Sequence, residues 1–170
     1  YLCISIIDRL LSRKCVPRKQ LQLLGITSLL IACKYEETRQ IYIGDFAYFI
    51  NLVYPRQELL TMELLIVKIL DYRFTVPTGY AFLQQFLQIT NATGIAANLA
   101  SYYMEQMLLE YSTLELPPSH VAAAAVSLAL NNPDLPQNKL RKELGYTGVP
   151  TIPGVVRTIK ASMSPINYSL

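Results

Sequence analysis

Tryptophan is absent from this 170-residue chain, histidine occurs once, and only 16% of the residues carry a charge. Each shortage excludes something. One histidine cannot build a metal site from several imidazoles, and a Cys–His nucleophile pair would have to use His120. His120 follows Ser119 at the start of an apolar helix, where a partly exposed structural histidine is the default reading. The seven glycines are scattered and form no phosphate-cradling loop of either common spacing. No H-R-D catalytic-loop motif occurs, so the chain is not itself a protein kinase. The neighbouring Glu36 and Glu37 diverge by about 100° on a helix and do not share a substrate as an acid–base pair. No catalytic residues, metal or cofactor are expected.

Cysteine is also scarce. Cys3, Cys15 and Cys33 are odd in number and lack C-x-x-C spacing, which points to reduced thiols rather than a disulfide framework. Charge of one sign is missing too: 15 Lys+Arg face 12 Asp+Glu, a net of +3, too little for a nucleic-acid binder that works by bulk charge. The charge-free run from Phe74 to Met104 contains Pro77, Gly79, Gln84, Gln85, Gln88, Asn91 and Asn98, too polar for hydrocarbon. Neither a nucleic acid nor a membrane is an expected partner.

What the chain has in abundance is apolar residues, 52% of the total, at helical spacing. Leu2, Ile6, Ile7, Leu10 and Leu11 form one face of a first helix, which Cys15-Val16-Pro17 ends. Gln20 to Cys33 holds no charge and includes the small residues Gly25, Thr27, Ser28 and Ala32, so a central helix surrounded by others is expected. A short helix is expected over Ile43–Asn51, and a longer apolar one from Pro55 to Leu70. Asp71–Pro77 reads as a linker, since proline disfavours helix at Val76. Thr78 is positioned to cap the next helix, through Phe82, Leu83, Phe86 and Leu87. Helices are then expected over Ile95–Tyr111, from Pro117-Pro118-Ser119 to Leu130, over Pro136–Leu144 and over Pro153–Met163. No alternating run is long enough for a sheet. The fold class is all-α. Gly25–Ala32 also lines up with Ala122–Ala129, small-residue segments in corresponding places of two halves, divided as 1–73 and 74–170.

Two charges stand out. Lys34 ends the uncharged helix beside Tyr35, and Glu63 interrupts an apolar one a turn before Val67. A charge buried without a partner costs several kcal/mol. Either the two pair with each other, or they sit at a rim where a partner supplies their hydrogen bonds. With Tyr35, Val67, Tyr72 and Phe74 around them they would also make a good docking face. The basic residues Arg9, Arg13, Lys14, Arg18 and Lys19, near a helix C-terminus, read as a solvated face.

The strings Ile7-Asp8-Arg9-Leu10-Leu11-Ser12, Leu21-Gln22-Leu23-Leu24-Gly25 and Ala32-Cys33-Lys34-Tyr35-Glu36-Glu37 strongly resemble the cyclin box. Gly44-Asp45-Phe46, Met62-Glu63, Lys68-Ile69-Leu70-Asp71-Tyr72 and Leu116-Pro117-Pro118-Ser119 fit the same family in order and spacing, most like its mitotic B-type (or A/B-type) branch. The resemblance implies two tandem five-helix cyclin boxes and a non-catalytic role in the nucleus and cytoplasm. The chain would bind and activate a cyclin-dependent serine/threonine kinase as a heterodimer, directing it to protein substrates in mitosis. The family's kinase-binding lysine and glutamate match Lys34 and Glu63, with Tyr35, Val67, Tyr72 and Phe74 as apolar companions, which favours a partner over the internal pair.

The departures are equally specific. In the family a first-box helix with an M-R-A-I-L-type substrate-docking patch would precede Tyr1, so an N-terminally truncated first box is expected. Leu21 and Gln22 would be the remnant of that patch, and Asp8 would lose its arginine. The runner-up is a transcription-associated protein of the same duplicated fold, binding DNA or the transcription machinery. It would want a zinc ribbon or a basic stripe, and the chain has neither.

Overall fold

A computed structural model of the chain describes residues 1–39, 41, 42, 44, 46, 54–130, 154–157 and 159. The described residues are helical, with no strand among them. The chain divides into two compact units, Tyr1–Val76 and Pro77–Leu170, at the end of the expected linker.

The described α-helices of the first unit are α1 (Leu2–Leu11), α2 (Leu21–Glu36) and α3 (Arg56–Ile69), and Gly44 and Phe46 are helical as well. Leu2, Ile6 and Leu10, four residues apart, are the buried stripe of α1. After Leu11 the chain tightens, with the Arg13 and Lys14 amides both donating to the Leu10 carbonyl, and a short 3₁₀ turn over Arg18–Gln20 leads into α2. Pro55 sits at the N-terminal boundary of α3, where its missing N–H costs nothing. Leu59, Met62, Ile66 and Leu70 then face α1 and α2. Full burial of a side chain of this size stabilises by about 1.5–3 kcal/mol relative to exposure.

Within α2 the buried residues are Leu23, Leu24, Thr27, Ser28, Leu30, Ile31 and Ala32. The Thr27 hydroxyl donates to the Leu23 carbonyl at 2.7 Å, so this buried polar group is satisfied inside its own helix. The helix is central as expected, although two of its apolar residues, Leu21 and Leu29, are exposed. Among the described helices α2 packs on α1 and α3, and Leu21 and Leu29 lie away from those contacts.

The second unit contains α4 (Gly79–Thr90), α5 (Ile95–Met107) and α6 (Pro118–Ala129). Thr78 caps α4 as expected, its hydroxyl accepting from the Ala81 amide at 3.4 Å. Helix α5 stops at Met107 rather than Tyr111, because the Thr113 hydroxyl donates to the freed Met107 carbonyl at 2.9 Å and shapes a 3₁₀ turn over Tyr111–Thr113. Pro118 opens α6 at its first turn. Every residue from Val121 to Ser127 is buried, which the small side chains of Ala122–Ala125 permit. This helix is the central rod of its unit, packed on α4 and α5. Gly154–Arg157 and Ile159 are helical, with Val155 and Ile159 buried. Most of the expected Ile43–Asn51 and Pro153–Met163 helices, and all of Pro136–Leu144, lie outside the described residues.

Candidate partner-docking site

The candidate residues gather on the first unit, where the last turn of α2 meets α3 and the turn after it. Lys34 comes from the end of α2 and Glu63 from the middle of α3. The Lys34 ammonium donates to Glu63 Oε1 at 2.6 Å. Sequence reasoning weighted by the resemblance expected each charge to wait for a partner; the structure corrects this, since the two are bonded to each other. They are not hidden beneath the surface. The Lys34 side chain is 36% exposed and that of Glu63 18%, so the pair lies at a rim with donors of the ammonium still available.

Around this pair the apolar companions fall into two groups. Val67 and Phe74 are half-buried against the core of the unit and form a floor. Tyr35 and Tyr72 stand out of it, 47% and 72% exposed. Tyr35 is tied to the turn beyond α3: its hydroxyl is hydrogen-bonded to Thr75 Oγ1, and its ring lies 6.4 Å from that of Phe74 at 53°. Thr75 is a member of the cluster that sequence reasoning missed, and its type carried no signal.

The turn after α3 has the hydrogen bonds of a Schellman cap: the Asp71 amide donates to Lys68 O and the Tyr72 amide to Val67 O. Such a cap wants a residue of positive φ, normally glycine. Here Asp71 has φ 52° and Tyr72 φ 59°. A left-handed conformation costs an L-residue roughly 1–2 kcal/mol, and a bulky aromatic is a true outlier there. Arg9 of α1 and Arg13, in the turn that follows α1, brace the Asp71–Tyr72 turn. Arg13 Nη1 donates to Ile69 O at 2.7 Å and lies 3.6 Å from the Asp71 carboxylate. Arg9 Nη2 donates to Arg73 O at 2.7 Å. Cations on the last carbonyls of a helix also complement its dipole. Burial, and then Arg13 beside it, pull the Arg9 guanidinium down from its ordinary range. Arg13, Lys14, Arg18 and Lys19 are exposed as expected of a solvated face, but Arg9 and Arg13 also bond to the main chain of this turn.

The remaining candidates lie elsewhere on the unit. Leu21 and Gln22, the expected substrate-docking remnant, are exposed at the start of α2, where Gln22 Oε1 accepts from the Tyr54 hydroxyl at 3.1 Å. Burial pushes the Asp8 carboxyl up, and no described residue bonds to it. Among the described residues no three His, Cys, Asp or Glu side chains converge on a common point, and no helix is long and apolar enough to cross a membrane.

The chain is thus helical in two units, with the Lys34–Glu63 pair beside Tyr35 on the first. Comparison with known proteins identifies its family. Residues 1–75 match the family model described as "Cyclin, N-terminal domain", and residues 77–161 match "Cyclin, C-terminal domain". The chain belongs to the cyclin family, with two tandem cyclin domains. It is 40% identical over 129 residues to G2/mitotic-specific cyclin-1 of Medicago sativa subsp. varia, covering 76% of this chain and 30% of that protein. It is 35% identical over 173 residues to G2/mitotic-specific cyclin-B1 of Carassius auratus, covering 100% of this chain and 43% of that protein. The chain therefore spans well under half the length of these relatives. In fold it is similar to a viral cyclin from herpesvirus saimiri, with a TM-score of 0.79 at 20% identity over 95% of this chain and 73% of that one. A chain of the CAK complex of Chaetomium thermophilum, bound to ATP-gamma-S, gives a TM-score of 0.63 at 19% identity over 95% of this chain and 53% of that one.

Proposed function

We propose that this chain is a non-catalytic regulatory subunit that binds and activates a cyclin-dependent serine/threonine kinase in mitosis, acting in the nucleus and cytoplasm. The carrying observation is the rim-located Lys34–Glu63 pair flanked by exposed Tyr35 and Tyr72 over a floor of Val67 and Phe74. Half-desolvated aromatics and a charge pair with spare donors are what binding hot spots are made of. The names of the mitotic relatives support the setting.

The mechanism is a population shift. A kinase alone samples inactive and active arrangements, and a subunit that grips only the active one drives the equilibrium toward it by its differential affinity. A rigid face suits this role, and here Lys34 is bonded to Glu63 of α3 and Tyr35 to Thr75 beyond it. In an active kinase a helix glutamate must pair with the phosphate-holding lysine, so the docked face would press the kinase's regulatory helix into that arrangement. Leu21 and Gln22 would contact substrates of the assembled kinase.

The test is calorimetric titration of the chain into a cyclin-dependent kinase purified without its cyclin, with a peptide-phosphorylation assay on the mixture. Lys34→Ala or Glu63→Ala should each weaken binding by about 2 kcal/mol, the hot-spot scale. Unchanged affinity of the double variant would refute the docking face.

A further inference from the structure

The strain at Tyr72 is not needed to end α3. The second unit supplies the comparison: α4 ends in the same cap, with the Asn91 amide on Gln88 O and the Ala92 amide on Leu87 O. There a single positive φ at Asn91 is enough, and the following Ala92 has none. In the first unit the residue in Ala92's place, Tyr72, is left-handed as well. Its side chain gains little in return, since Tyr72 is 72% exposed and its hydroxyl has no hydrogen-bond partner among the described residues.

The turn is held from outside. Arg13 bonds to Ile69 O just before it and reaches the Asp71 carboxylate, and Arg9 bonds to Arg73 O just after it. The two contacts bracket the two strained residues. The clamp is itself costly, because it leaves Arg9 Nη1 buried with no hydrogen-bond partner. Strain that an exposed residue does not recover within its own fold, and that a second costly feature maintains, is the signature of a pre-organised contact.

We propose that Arg9 and Arg13 are positioning residues that hold the Asp71–Tyr72 turn so that Tyr72 is presented in advance as a partner anchor. The inference rests on the docking face described under Proposed function. It adds that the order of this anchor is imposed by Arg9 of α1 and Arg13 of the turn after it, which do not belong to that face.

The experiment measures association with the same cyclin-free kinase by surface plasmon resonance, alongside urea unfolding of each variant. Tyr72→Gly removes both strain and anchor: it should unfold at higher urea yet bind about tenfold more weakly, the size of a hot-spot loss. Arg9→Gln and Arg13→Gln should each slow association several-fold, and Tyr72→Ala should cost little more in either background. Adding Asp71→Gly to Arg13→Gln should restore binding, because glycine takes a positive φ without a clamp. Rescue by a glycine that touches no partner is not expected of a merely structural arginine. Should Arg13→Gln fail to fold, the Tyr72→Gly pair of readings decides: lower stability, or unchanged affinity, overturns the inference. So does a simple multiplication of the Arg13 and Tyr72 losses. If Lys34→Ala still weakens binding while the arginine variants do not, this inference alone falls; if none of them matters, the docking face falls with it.

Discussion

The geometry of the Lys34–Glu63 pair fixes which of its two halves the fold will miss more. The bond is short, 2.6 Å, but unequally sheltered, with 36% of the lysine side chain exposed and 18% of the glutamate. If the glutamate is removed, the flexible lysine stem can turn its ammonium to water. If the lysine is removed, a largely desolvated carboxylate on the middle of α3 loses its partner, and a glutamate anchored there has less freedom to escape. Fully exposed pairs are worth about 0.2–1 kcal/mol, and hydrogen bonds to charged groups about 1.5–3 kcal/mol. After discounting for solvent screening, a coupling of about 1 kcal/mol is expected, with Lys34→Met costing about 1.5 kcal/mol and Glu63→Gln about 0.5 kcal/mol. The assay is a double-mutant cycle on the whole chain by urea unfolding, followed by circular dichroism and fitted with a transition for each unit. Raising the salt to 1 M, where the screening length falls to about 3 Å, should shrink the coupling without abolishing it. A larger loss for Glu63→Gln than for Lys34→Met, or a coupling below about 0.3 kcal/mol at low salt, would refute this account of the rim.

Three other predictions concern the body of the protein. Because burial raises the Asp8 carboxyl, the folded state holds that proton more tightly than the unfolded one; the charged form opposes folding above the unfolded pKa, and the opposition fades as pH falls through the folded value. Asp8→Asn should therefore stabilise the first unit at neutral pH and lose its advantage in acid, which urea midpoints at a series of pH values will show. Cys15 is exposed, whereas burial chiefly raises the half-buried Cys3 and Cys33, so iodoacetamide at neutral pH should label Cys15 first by mass spectrometry. Ala124→Leu, which forces a large side chain into the fully buried face of α6, should cost the second unit about 1–3 kcal/mol in urea unfolding.

The parts of this fold that the sequence made legible are those in which a residue type carries its own reason. The spacing of Leu2, Ile6 and Leu10 gives a stripe, proline and threonine announce the starts of α3, α4 and α6, and alanine in four successive places marks a rod with no solvent side. Lys34 and Glu63 were legible as misfits for the same reason, but not as a bonded pair, since their distance depends on how α2 crosses α3. The clamp was less legible still, and the cause is chemical. An arginine that seeks a carboxylate can be found by looking for an acid three or four places away, but one that seeks a main-chain carbonyl has a target with no identity in the sequence. Arg9 and Arg13 do carry a faint mark. Ser5, Ile6, Ser12 and Arg13 stand at helical spacing from Arg9, with no acid among them, at the end of a helix that gives it nothing to pair with. Cations left unpaired by their own helix at its C-terminal end are either free in solvent or reserved for another helix's last carbonyls, and the orphaned carbonyls of an α3 that ends in Asp-Tyr, where glycine would serve better, are the complementary need. Read together, the two deficits point to each other across some sixty residues. Neither does so alone, which is why the bracing of Tyr72 emerges only when α1 and the end of α3 are seen side by side.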